Sequence, residues 1–153
     1  MPRLEMRSGS RLSPDQVVQA LTDFSPRRPQ MWTGITSSYY EVHSVGDSEA
    51  HVREGTKQGP LDVWAKEHYD WSTPGVVSWT VEESNFCTPG SYVKATITPR
   101  DDGGSDIRCE WERTPTTFMT RLVFVMLKLT GGKAIEASMR KGLANYEREM
   151  LPD

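Results

Sequence analysis

Two hydrophobic periods divide the chain. From Tyr39 to Arg113 apolar and polar residues alternate in six runs: Tyr39–Val45, Glu49–Gly55, Val63–Trp71, Val76–Ser84, Ser91–Pro99 and Asp106–Arg113. A period of two is the signature of half-buried strands. The separators are turn chemistry, namely Gly46-Asp47, Gln58-Gly59-Pro60, Ser72-Thr73-Pro74-Gly75, Pro89-Gly90 and Asp101-Asp102-Gly103-Gly104. Short, even spacing with no helical segment between the runs predicts an antiparallel meander. From Thr117 to Met150 the period lengthens. Phe118, Leu122, Val125 and Leu129 recur at helical spacing, with Met119, Val123 and Met126 beside them. A helix apolar over most of its circumference is expected to be buried. After Gly131-Gly132, a break, the pattern resumes with Ile135, Met139, Leu143 and Tyr146, and Lys133, Glu136, Arg140, Lys141, Glu147 and Arg148 take the other face.

Before the meander, Leu4–Leu12 alternates weakly and predicts a first strand. Ser13 suits an N-cap, Pro14 the first helical position, Asp15 the positive end of the helix dipole, and Gln16 completes a capping box. Val17, Val18, Ala20 and Leu21 give this helix its apolar side, ending near Asp23. Ser25-Pro26 repeats the start signal and predicts a second short helix over Pro26–Trp32. The order is therefore one strand, two short helices, six strands and a long helix, an α+β arrangement in which a seven-stranded sheet buries one face under the C-terminal helix.

Alternation also selects the inward set of each strand, taken as the more apolar one. It comprises Tyr40, Val42 and Ser44; Ala50, Val52 and Glu54; Ala65, Glu67, Tyr69 and Trp71; Val77, Trp79, Val81 and Glu83; Val93, Ala95 and Ile97; and Ile107, Cys109, Trp111 and Arg113. The histidines His43, His51 and His68 fall on the outward set.

With 153 residues the chain is of single-domain size, and one domain over 1–153 is expected. A net charge of −3 with both signs interspersed argues against nucleic acid as partner. The start MPRLEMRSGSRL has no apolar secretory core, and the longest apolar run, Leu122–Leu127, is too short for stable membrane insertion, so a cytoplasmic protein is expected. Cys87 and Cys109 lack metal spacing and are expected as free thiols. Histidines, cysteines and carboxylates show no constellation at helical or hairpin ligand spacing, so neither metal nor other cofactor is expected.

The element order, together with Ser13 to Asp23, Trp32, Val52-Arg53-Glu54-Gly55, Tyr69 to Gly75 and the Gly103-Gly104 hairpin before a strand ending in Trp111, resembles the START-like or SRPBCC superfamily. That superfamily has the helix-grip fold of the major birch-pollen allergen and of polyketide cyclase/dehydrase-type proteins, and the phrases are similar to its small bacterial members. The resemblance spans Leu4 to Met150 and implies a cavity between sheet and long helix, open near the short helices, for an apolar molecule. Combined with the strand faces, it makes Tyr40, Val52, Glu54, Glu67, Tyr69, Val77, Trp79, Val81, Val93, Ala95, Cys109 and Trp111 candidate ligand contacts, with Phe118, Met119, Leu122 and Met126 from the helix. Glu54, Glu67, Tyr69 and Arg113 are the candidates for proton transfer or carbonyl polarisation. Alternatively one or both glutamates pair with Arg113 or a tyrosine hydroxyl, or sit at a solvated rim. Three functions stay open: a carrier of a lipid-like or polyketide-like molecule, a cyclase or dehydratase, and a ligand-free interaction module. A homodimer through the helix or a sheet edge is compatible with each.

Overall fold

The computed structural model describes residues 3–151. Seven strands form one antiparallel sheet: β1 (Arg3–Ser10), β2 (Glu41–Val45), β3 (Glu49–Gln58), β4 (Leu61–Asp70), β5 (Val76–Ser84), β6 (Tyr92–Pro99) and β7 (Ser105–Glu112). Their order is β1-β7-β6-β5-β4-β3-β2, so the meander runs consecutively from β2 to β7, and β1 closes onto its far edge. The chain then needs a connection across the sheet from β1 to β2. It is supplied by α1 (Pro14–Leu21), α2 (Arg28–Met31) and a 3-10 turn at Ser37–Tyr39. The Ser13–Gln16 capping box forms as the sequence predicts, each side chain accepting from the other residue's backbone N–H.

The C-terminal segment is two helices rather than one. α3 (Phe118–Leu129) and α4 (Lys133–Met150) are separated by Gly131 and Gly132, whose φ angles of 67° and 78° lie in the left-handed region that a helix cannot continue through. α4 is the core helix: Leu143 and Tyr146 are buried, and it packs on β1, α1 and α2. Its Gly142 gives room to Trp32, since a Cβ there would sit 2.1 Å from the indole ring.

α3 corrects the expectation of a buried apolar stripe. Phe118, Met119, Leu122, Val125, Met126 and Leu129 are all exposed, Phe118 to 76% and Leu129 to 77%. The rotation of the helix is set by its other side. Phe124 wedges edge-on between Phe86 and Trp111, with ring centroids at 6.3 and 4.7 Å. Thr120, buried with it, is locked into a reciprocal cap with Thr117. Val123 and Leu127 complete the inward stripe.

Inside, the sheet buries Val52, Val77, Ala95 and Ile107 against Leu12, Val17, Ala20 and Leu143. The predicted faces hold except where two bulges intervene. Pairing jumps from Val42↔Val52 to Ser44↔His51, so His43 is the extra residue and Ser44 turns to the outward face of His51. Pairing also jumps from Glu67↔Val81 to Lys66↔Glu83; Glu82 is extra and Glu83 joins Lys66 outside. A bulge shifts every later side chain by one face.

Candidate functional site

Between the inner face of the sheet and the helices lies a cavity of about 620 Å³, within the range that holds a small molecule. Tyr69, Trp79, Val93, Cys109 and Trp111 form its sheet wall. Val123 and Leu127 from α3 and Ile135 and Met139 from α4 form the opposite wall, and Arg28, Trp32 and Ile35 stand at the end formed by the β1–β2 connection. The surface is thus mainly aromatic and aliphatic. Two charged groups interrupt it.

The first is Arg28, which is 4% exposed although α2 is a single turn. Its Nε donates to Glu54 Oε2 at 2.6 Å, its Nη1 to the carbonyls of Leu21 and Asp23 at 3.0 and 3.1 Å, and its Nη2 to the Tyr69 hydroxyl at 3.3 Å. The Tyr69 hydroxyl in turn donates to Glu54 Oε1. Phe24 covers the guanidinium at 4.7 Å, a cation–π contact in a desolvated setting. Burial is the largest effect and opposes the charge on Arg28, but Glu54 and Tyr69 together outweigh it and hold the guanidinium protonated. For Tyr69 burial is the largest effect and the Glu54 charge adds to it, so the phenol is pushed well above its ordinary value. This cluster is internally paired: it fixes α2 against β3 and β4 and lines the cavity with Arg28, Glu54 and Tyr69.

The second group is Glu67 with Arg113. Arg113 Nη2 donates to both carboxylate oxygens at 3.3 and 3.2 Å, and Nη1 lies 3.8 Å from Cys87 Sγ. One nitrogen sharing two acceptors is a weaker geometry than the two-pronged fork. Glu67 is 5% exposed and Arg113 7%. Burial raises the Glu67 carboxyl above its ordinary value, the Arg113 charge pulls the other way, and the Glu54 charge raises it again. A carboxyl facing an apolar cavity with a raised pKa is a candidate for proton exchange with a bound molecule.

Of the residues selected from the sequence, Glu54, Glu67, Tyr69, Trp79, Val93, Cys109, Trp111 and Arg113 line the cavity. Val52, Val77, Val81 and Ala95 are buried in the packing of the sheet itself, and Tyr40 is half-buried with its hydroxyl donating to the Ser25 carbonyl at 2.9 Å. Phe118, Met119, Leu122 and Met126 lie on the outer surface of α3. Both pairings left open for the glutamates form, Glu54 with a tyrosine hydroxyl and Glu67 with Arg113. Sequence reasoning missed Arg28 and Trp32, and nothing in the local pattern distinguishes an arginine in a one-turn helix from a solvated one. It also left Phe86, Val123, Leu127 and Ile135 out of the candidate contacts; for Val123 and Leu127 the inward stripe 120/123/124/127 was the signal, masked by the larger stripe beside it.

Cys87 and Cys109 are free and buried. Burial pushes the Cys109 thiol up to about 11, which makes it inert as a nucleophile. Outside the cavity, the antiparallel register brings His51 and His68 side by side with Glu49, a grouping that linear spacing does not reveal. No helix among the described residues is long and apolar enough to cross a membrane.

No protein-family model matches the chain, nor does any curated protein. Solved structures match over its whole length at low identity. A protein from Thermus thermophilus superposes with a TM-score of 0.78 at 15% identity, covering 98% of this chain and 99% of its own. The Zhui aromatase/cyclase from a Streptomyces species gives 0.77 at 12% identity, over 98% and 96%. A START superfamily protein from Mycobacterium smegmatis gives 0.68 at 10%, over 91% and 97%. The chain shares the fold of these structures, a helix-grip fold.

Proposed function

We propose that the protein binds an apolar small molecule, lipid-like or polyketide-like, in the cavity between the sheet and helices α3 and α4. The observation that carries this is the cavity itself: about 620 Å³, walled by aromatic and aliphatic side chains, with only two charged clusters reaching it. A well-packed core does not leave such a volume without a use, because unfilled apolar space costs stability. Trp79, Tyr69 and Trp111 offer flat faces to a planar or ring-bearing ligand, and Met139 can adapt to its outline. Arg113 and Glu67 would orient one polar end of it.

The test is native mass spectrometry of tag-free protein, followed by solvent extraction and titration with a hydrophobic fluorescent probe. A stoichiometric adduct, or 1:1 probe uptake that Ile135→Trp abolishes by filling the cavity, is expected. Probe binding indifferent to Ile135→Trp, with no adduct, would leave the exposed face of α3 and a partner-binding role as the better account.

A second reading, a cyclase or dehydratase, is favoured by one feature. Glu67 is buried at the cavity wall with a raised pKa and a guanidinium beside it, the arrangement that a proton transfer next to a polarised carbonyl requires. Glu67→Gln separates the two. In an enzyme it keeps probe binding and removes turnover of a poly-β-ketone substrate; in a carrier it changes neither ligand release nor product composition.

A further inference from the structure

The outward face of the sheet carries a second cluster of side chains, independent of the cavity. His51 and His68 are direct cross-strand partners in the β3–β4 ladder. Their rings are stacked, with centroids 4.6 Å apart and planes 13° from parallel. Glu49 lies two residues before His51 on the same face. Its Oε1 stands 3.4 Å from His68 Nε2 and 3.6 Å from His51 Nε2. One donor atom from each of the three residues lies within 4.8 Å of the others.

These lengths are those of a coordination sphere. Around a tetrahedral zinc ion with bonds of ~2.0–2.1 Å, neighbouring ligand atoms stand about 3.3–3.4 Å apart. The two edges that share Glu49 Oε1 are close to that value, and one ring must turn out of the stack to aim both Nε2 lone pairs at a common ion. His68 Nε2 adds a second observation: it is withdrawn from solvent and makes no hydrogen bond, a state that buried polar atoms normally avoid. Glu82 adds a third. It is the extra residue of the β5 bulge, on the same outer face, and its Oε1 lies 2.9 Å from His51 Nδ1. A carboxylate accepting from Nδ1–H leaves Nε2 with the free lone pair, which is how metal-binding histidines are held.

We propose that Glu49, His51 and His68 form a binding site for a divalent transition-metal ion, Zn²⁺ foremost, with Glu82 orienting His51. Two imidazoles and one carboxylate suit Zn²⁺, Ni²⁺ or Cu²⁺ and disfavour Mg²⁺ and Ca²⁺, which prefer all-oxygen shells. Glu49 is exposed and His51 partly so, which leaves the ion a route in and a remaining position for water. The site ties β3 to β4 directly behind the strand segments that present Glu54, Glu67 and Tyr69 to the cavity, since Glu67 and Tyr69 flank His68 in sequence.

The test is calorimetric titration of tag-free, chelator-treated protein with Zn²⁺, with Mg²⁺ as a control and Co²⁺ absorption to report the coordination number. One Zn²⁺ per chain is expected, with a tetrahedral Co²⁺ spectrum. His51→Gln and His68→Gln should each weaken binding at least 100-fold, and Glu82→Gln roughly 10-fold. His43→Gln should leave it unchanged, because His43 stands apart beside Glu41. Absence of saturable 1:1 binding, or equal loss in His43→Gln and His68→Gln, overturns the proposal. Should a variant fail to fold, imidazole proton shifts of the wild-type protein decide: Zn²⁺ must move His51 and His68 and spare His43, and any other pattern counts against the site.

Discussion

Arg28 joins more of the molecule than any single contact suggests, because four of its five N–H donors meet a carboxylate, a phenol and two backbone carbonyls. Removing one partner of a buried ion pair strands the other, at about 3–5 kcal/mol. Arg28→Met should therefore lower unfolding stability by about that amount in urea titration, and Arg28→Met combined with Glu54→Met should recover much of it. If the double variant is no more stable than the single one, Glu54 is not the group left stranded. Glu67 gives a prediction in pH. Its folded-state pKa lies above the ordinary value of 4.5, so the folded protein holds a proton that the unfolded chain releases. The associated stability is complete below about that value and is lost as pH rises through the folded pKa. Measured at about pH 5 and about pH 8, the wild type should lose stability relative to Glu67→Gln; a constant difference between the two proteins would contradict the raised pKa. Alternation in the sequence was enough to turn both glutamates inward. Their partners differ in legibility: Tyr69 and Arg113 follow from the same alternation, whereas Arg28 is buried by tertiary packing that leaves no periodic trace.

At the level of elements, α3 inverts the usual rule that the stronger apolar stripe faces the core. Anchoring falls to Phe124, 5% exposed between Phe86 and Trp111. Phe124→Ala should cost about 3–5 kcal/mol, while Phe118→Ser and Leu129→Ser should stay within about 0.5 kcal/mol and should raise solubility. Thermal melts of the three variants decide between this orientation and one rotated by half a turn, for which the ranking reverses. The strands were legible almost to their ends, since turn residues mark the boundaries and a half-buried strand must alternate. The bulges at His43 and Glu82 were not, because an extra residue leaves the pattern on either side intact and changes only which face it serves. Ser44 and Glu83 were misplaced for that reason. The pairing of His51 with His68 was hidden too: it depends on the register set by the turn at Gly59, and the two residues are far apart in sequence.

For the molecule as a whole, a ligand that enters the cavity and does not bind the unfolded chain must stabilise the fold by mass action, by about 2.7 kcal/mol at a hundredfold excess over its Kd, and so raise the melting temperature. Failure of a bound probe to raise it would mean that the unfolded chain binds the probe as well. The break at Gly131-Gly132 has a further consequence. It splits the C-terminal segment so that α4 shares the core with β1, α1 and α2, whereas α3 holds on mainly through Thr120, Val123, Phe124 and Leu127. Two helices with such different support need not unfold together. Amide hydrogen exchange should find α3 opening at a small fraction of the free energy needed to expose Leu143 and Tyr146, and identical protection in both helices would count against it. Since Val123 and Leu127 are part of the cavity wall, the traffic of ligand in and out would then be timed by the fraying of one marginal helix, leaving the protein's overall stability free to be high.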